Sequence, residues 1–356
     1  MRRLVLGALA LVVLVFFLVD LEPRFTEAPG VEASERARRL HDDALVIDLH
    51  VDSLLWPRSL REEGRGGHVD FPRMRRGGLD AAAFTIPTRF FGAAGLKAFH
   101  DLWPPRTWWS PWERFRYQLA KPRAWSDDVR LVRSAEEIRA NAASGVLSFF
   151  HGIEGAHALE DDVSRVAGLR EEGVLFIGPV HLADNAFGGS SSGTDIGLTS
   201  LGRELLDRMN AEKIQVDLAH ASPRTFEESL ERTAFPPIVS HSGVRAVHDT
   251  WRNLSDDQIR AVARKGGVIG VMLAPPALER VSLEEAMEHL AHLVEVGGED
   301  VAALGSDFDG YVDAPIDADG LPRLTELMLR RGWSEERIRK VLGENVLRVI
   351  SIDPKS

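Results

Sequence analysis

The chain has 356 residues, 44% apolar and 27% charged, which suits one large or two ordinary globular domains with a substantial core. A net charge of −11, with no long stripe of Lys and Arg, argues against a nucleic-acid partner. The lack of any cysteine excludes disulfides, thiolate metal sites and a cysteine nucleophile.

Arg2 and Arg3 precede sixteen apolar residues, Leu4 to Val19, and a polar segment follows. A charged start before an apolar run marks an export signal. The run is longer than most signal-peptide cores, yet shorter than the roughly 20 residues that span a bilayer comfortably. No small-x-small cleavage site follows it directly. An uncleaved signal anchor over residues 1–20 is therefore favoured over a cleaved signal peptide. The arginines would stay cytoplasmic, with the working domain exported to the periplasmic or extracellular side. Residues 21–35 read as a Pro/Gly/Glu linker and residues 36–356 as one folded domain.

Eight short apolar runs follow, centred near residues 47, 84, 148, 177, 216, 239, 270 and 304. Amphipathic segments such as SAEEIRANAASG and SDDQIRAVARKG separate most of them. Regular alternation of this kind predicts a parallel sheet, and eight units predict a closed TIM-like (β/α)₈ barrel of the α/β class. The alternative, an open doubly wound sheet, would place its ligand at one switch point rather than along many strand ends. Between the second and third runs, the segment 98–126 holds five of the chain's eight tryptophans. It reads as a long connection packing its aromatics on the barrel wall. A lid, a homodimer surface and an aromatic contact with the membrane are the sharper readings. The C-terminal stretch predicts two closing helices, the second capped by Ser334 without a full capping box, because Arg337 stands where a glutamate would reach back.

Six of the runs end in, or just before, side chains that can bind a divalent cation or move a proton. These are His50 and Asp52, Glu154, His181, His220, His241 and Asp307. Barrel enzymes build their sites at the C-terminal strand ends, so the coincidence predicts one site. His50 and Asp52 are two apart and would grip one cation together. Glu154 has two carboxylate oxygens and can bridge two cations, while His220 and His241 supply imidazoles to the second. Nitrogen and oxygen donors of this kind suit Zn²⁺ best. Two such ions sharing a bridging hydroxide predict hydrolase chemistry. Asp307 is the candidate acid/base in preference to Asp309. His181 either hydrogen-bonds the developing oxyanion or is a structural histidine.

With these residues in place, the chain resembles the membrane dipeptidase (renal dipeptidase) family of dinuclear zinc hydrolases. The matching pieces include VIDLHVD, HVDFPRMRRGGLDAA, GIEGAHAL, VDLAHAS, VSHSGVRAV, LGSDFDG and GENVLRVI, in order from about residue 44 to 350. The resemblance implies two zinc ions, with His50 and Asp52 on one, His220 and His241 on the other, and Glu154 bridging. It implies that His181 contacts the substrate carbonyl, that Asp307 is the acid/base and that Arg252 pairs with the substrate's carboxylate. It further implies hydrolysis of dipeptides, including those with a D-residue second. The connections after His181 and after the seventh run depart from the common family form. An exported amidohydrolase acting on N-acyl amino acids, lactams or cell-wall fragments is therefore the competing reading.

Overall fold

A computed structural model describes residues 30–89, 98–125 and 129–351. Nine parallel strands make one sheet: β1 (Ile47–Val51), β2 (Ala81–Pro87), β3 (Val129–Leu131), β4 (Leu147–Glu154), β5 (Val174–Ile177), β6 (Gln215–Val216), β7 (Ile238–Ser242), β8 (Val268–Val271) and β9 (Ala302–Leu304). The order β6-β5-β4-β2-β1-β9-β8-β7 uses the eight predicted runs. A parallel bridge between Asp217 and Ile238, with the Leu218 amide donating to the Ile238 carbonyl at 2.8 Å, joins the two ends. The sheet thus curls into the expected TIM-like (β/α)₈ barrel. β3 is an addition that the hydropathy pattern missed. It pairs only with the N-terminal half of β4, whose other half is taken by β5.

Eight of the nine strands are buried at every position; only β3 and its exposed Arg130 sit on the rim. Burial on both faces explains why the barrel strands read as near-continuous apolar runs rather than as alternating ones. Close strand approach depends on glycine at two points. A Cβ at Gly270 would lie 2.2 Å from the Ser240 carbonyl oxygen, and one at Gly305 only 1.8 Å from it.

The last linker residues belong to the folded body. Ser34 caps the helix Glu35–Asp43 and donates to Glu326 at 2.6 Å, and the Val31 carbonyl accepts from Arg323 at 2.9 Å. At the other end, helix Pro322–Arg330 is followed by a helical run from Glu335 to Ile350, interrupted by a π-turn over Lys340–Glu344. Ser334 caps it by accepting from the Arg337 amide, as expected. The Trp-rich connection packs on the wall: Trp125 lies 4.7 to 5.1 Å from the rings of Phe71, Phe84 and Phe149. Trp103 is buried beside Tyr117, while Trp109 is 83% exposed. Residues 1–20, expected to form a signal anchor, lie outside the described residues. Among the described residues, no helix is long and apolar enough to cross a membrane.

Candidate metal centre at the C-terminal strand ends

The strands deliver the predicted residues to one place, although several arrive on turns rather than on strands. His50 and His241 sit within β1 and β7, and Glu154 is the last residue of β4. Asp52 follows β1 directly, whereas His181, His220 and Asp307 lie three or four residues past β5, β6 and β9. His220 and Asp307 have left-handed backbones, φ 65° and 63°. Non-glycine residues seldom adopt that conformation, and such outliers gather at functional sites.

Glu154 is the hub. Its Oε1 lies 3.0 Å from His220 Nε2, 3.3 Å from His181 Nε2, 3.5 Å from His241 Nε2 and 3.6 Å from His50 Nε2. His50 Nε2 is also 3.5 Å from Asp52 Oδ1 and 3.9 Å from Asp307 Oδ1. Donor atoms fall into three overlapping sets, each within 4.8 Å: His50, Asp52 and Glu154; Glu154, His181 and His220; and His50, His241 and Asp307. Distance alone thus places His181 and Asp307 as near the centre as the five expected ligands.

The electrostatics describe a site short of positive charge. Burial raises the Glu154 carboxyl well above its ordinary range, and the neighbouring charge of Asp52 raises it further. Asp307 is pushed up to about 7 by burial, with Asp52 and Asp48 adding to the shift against His50 and Arg252. Burial holds His181, His220 and His241 well below the usual imidazole value, and the charges of His50 and Arg252 lower them further. Burial also opposes charge on His50, but Glu154, Asp52 and Asp307 outweigh it and push that ring up to about 10. Three neutral imidazoles and carboxyls raised by burial, crowded on one point, are what a divalent cation would relieve. His50 Nε2 is buried without a hydrogen-bond partner, and His220 Nε2 lies 3.1 Å from His241 Nε2. The donor set therefore fits metal.

Outer contacts hold these side chains. Thr85 donates to Asp52 Oδ1 at 2.5 Å. Ser240 Oγ lies 2.9 Å from Nδ1 of both His50 and His241 and donates to Asp217 at 2.6 Å. Sequence reasoning missed Ser240, Asp217 and Thr85. For Asp217 a signal existed, since an acid inside the apolar run KIQVDLAH must find partners when buried. Asp309, the rejected alternative to Asp307, ties down the loop from Ser53 to His68. It accepts from Ser53, Arg58 and the His68 amide. Those cationic and hydrogen-bonding partners hold it below the usual carboxylate range despite burial.

Arg252 lies on the turn after β7, 3% exposed, with Nη2 donating to the His241 carbonyl at 2.6 Å and lying 3.4 Å from His220 Nε2. It borders a cavity of about 450 Å³ that the central residues floor and Pro87, Leu182, Trp251, Met272, Pro275 and Val312 wall with mostly apolar surface. No described residue of the Trp-rich connection lines that cavity, so the lid reading finds no support there.

A TIM-like barrel carrying a buried His/Asp/Glu cluster below an open cavity defines a metal-dependent hydrolase. The family profile described as Membrane dipeptidase (Peptidase family M19) matches residues 34–353, and the chain belongs to that family of metallopeptidases. An uncharacterised dipeptidase of Schizosaccharomyces pombe is 27% identical over 346 residues, covering 89% of this chain and 82% of its own. A metallopeptidase from Rhodobacter sphaeroides, solved with a phosphinate mimic of the dipeptide L-Ala-D-Ala, is 29% identical with a TM-score of 0.75. The match covers 86% of this chain and 99% of that one. A solved dipeptidase AC, also a metallopeptidase, is 29% identical with a TM-score of 0.74, over 86% of this chain and 98% of its own.

Proposed function

We propose that the protein is a dizinc dipeptidase, exported and held at a membrane by its N-terminal segment, that hydrolyses dipeptides including those with a D-residue second. The observation that carries this reading is the convergence of four imidazoles on one Glu154 oxygen, beside a buried Arg252. In this reading, His50 and Asp52 would hold one zinc and His220 and His241 the other, with Glu154 available to both. When bound, the ions supply Lewis acidity and an activated water.

The remaining roles belong to the chain's own groups. Arg252 clamps the substrate's free carboxylate through its guanidinium, which orients the peptide bond over Glu154. His181 donates from its ring to the carbonyl oxygen as negative charge develops there. Asp307, with its carboxyl near 7, takes a proton from the attacking water and returns it to the departing amine nitrogen. The apolar cavity wall suits small or hydrophobic side chains, and its size suits a dipeptide rather than a longer peptide. The phosphinate dipeptide mimic held by the Rhodobacter sphaeroides relative supports the same substrate class and the D-residue in second place.

The test assays the zinc-loaded full chain with L,L- and L,D-dipeptides and with their C-terminal amides. Cleavage of the acids with the amides poor by about 100-fold is expected, that preference being lost in Arg252→Ala. Equal cleavage of acids and amides by the wild type would overturn the carboxylate clamp. Fewer than two zinc ions per active chain would overturn the dinuclear centre.

A further inference from the structure

We propose that Ser240 and Asp217 form one positioning device that sets the imidazole tautomer in both halves of the metal centre at once. The inference rests on the dizinc reading above, and it concerns residues that neither ligate nor touch substrate.

Ser240 Oγ has one proton and two lone pairs. Its three neighbours are Asp217 Oδ2 at 2.6 Å, His50 Nδ1 at 2.9 Å and His241 Nδ1 at 2.9 Å. Asp217 Oδ1 already accepts from the Ser240 and Ala219 amides at 2.9 and 3.0 Å. The Ser240 hydroxyl donates to Asp217 Oδ2 at 2.6 Å, so its single proton points there. Both lone pairs of Oγ then face imidazole nitrogens, and each of those nitrogens must carry hydrogen. His50 and His241 are thereby held with Nδ1 protonated, which leaves Nε2 of each ring, on the Glu154 side, as the atom that would ligate a cation. A metal-ligating histidine is oriented by the partner of its other nitrogen. Here one hydroxyl serves two ligands, and the two belong to different zinc ions.

The device is rigid. Asp217, Ser240, His50 and His241 are each 2% exposed or less. The Ser240 carbonyl is wedged against Gly270 and Gly305, where no Cβ fits. Asp217 also sits at the bridge that closes the barrel, so closure and tautomer control share a residue. Because the lock is shared, its loss should weaken both zinc sites rather than one.

The Asp217→Asn variant makes a sharper prediction. Its amide oxygen can keep the two backbone amides, but its NH₂ group donates to Ser240 Oγ. The hydroxyl proton must then turn to one of the two imidazoles. That ring shifts its own proton to Nε2 and can no longer ligate through it, so one zinc should be lost and the other kept.

Competitive zinc titration of the full chain, with circular dichroism to confirm folding, tests both statements. In Ser240→Ala, both zinc affinities should fall together by about 10- to 100-fold, and Ser240→Thr, which keeps the hydroxyl, should restore them. Loss at one site alone, or unchanged affinities in a folded Ser240→Ala, would overturn the shared lock. Should the alanine variant not fold, ¹⁵N–¹H correlation on the wild-type holoenzyme decides the matter. Two slowly exchanging Nδ1 protons, on His50 and His241, are expected, and their absence overturns the proposal. A wild type that binds no zinc would instead refute the dizinc reading itself.

Discussion

His41 and His50 are equally buried, each 0% exposed, and they show what separates a structural histidine from a candidate ligand. In His41, on helix Glu35–Asp43, both nitrogens are consumed: Nδ1 by the Thr325 hydroxyl at 2.7 Å and Nε2 by the Gly77 carbonyl at 2.8 Å. In His50, Nδ1 is consumed by Ser240, while Nε2 faces three carboxylates and has no hydrogen-bond partner. Burial does not distinguish the two rings. The fate of the second nitrogen does, because a ring nitrogen buried among acids without a hydrogen bond is an atom that a bound cation can use.

The largest expected effect lies on the site side of this comparison. Glu154→Gln should cut kcat/KM on the order of 10³-fold or more, about 4 kcal/mol of barrier. The same change should raise the unfolding midpoint of the metal-free chain at neutral pH, since it removes a carboxyl whose ionisation burial and Asp52 oppose. Thermal unfolding after chelation measures the second effect, and a lowered midpoint would break the contrast. His41→Ala should do the reverse. It leaves Thr325 and the Gly77 carbonyl without their partner and opens a cavity, costing about 3 kcal/mol of stability. Zinc stoichiometry should stay at the wild-type value, and a lost zinc would show that His41 is no mere structural residue.

The smallest effect is a pH dependence of that cost. Burial lowers His41 from 6.5 to about 4, against the bond to Gly77. The folded state therefore resists a proton that the unfolded state takes up. The contribution of His41 is fully present above pH 6.5 and is lost as pH falls towards 4. Chemical denaturation of wild type and His41→Ala from pH 7 to 4 should show the difference in stability narrowing across that window. A constant difference would mean that the ring titrates in the fold as it does in the unfolded chain.

Much of the site was legible along the chain. His50, Glu154 and His241 close apolar runs that could hardly be anything but buried strands, and a metal-capable side chain at such an end is unusual. β3 was not legible, because three residues with an exposed arginine in the middle carry no periodic signal. His220 and Asp307 were legible as residues but not as left-handed turns. Their backbone is dictated by the loops they enter rather than by their own preference.

Eight apolar runs at helical intervals determined the barrel, and the residues at their ends determined which side chains gather at the candidate centre. Both follow from local pattern, since burial on two faces dictates composition and strand ends share one rim. The tertiary structure alone decided which atoms meet. Ser240 and Asp217 are ordinary polar residues 23 positions apart. They become a proton-directing pair because barrel closure sets β6 against β7, and hydrogen bonds depend on distances that residue spacing does not encode.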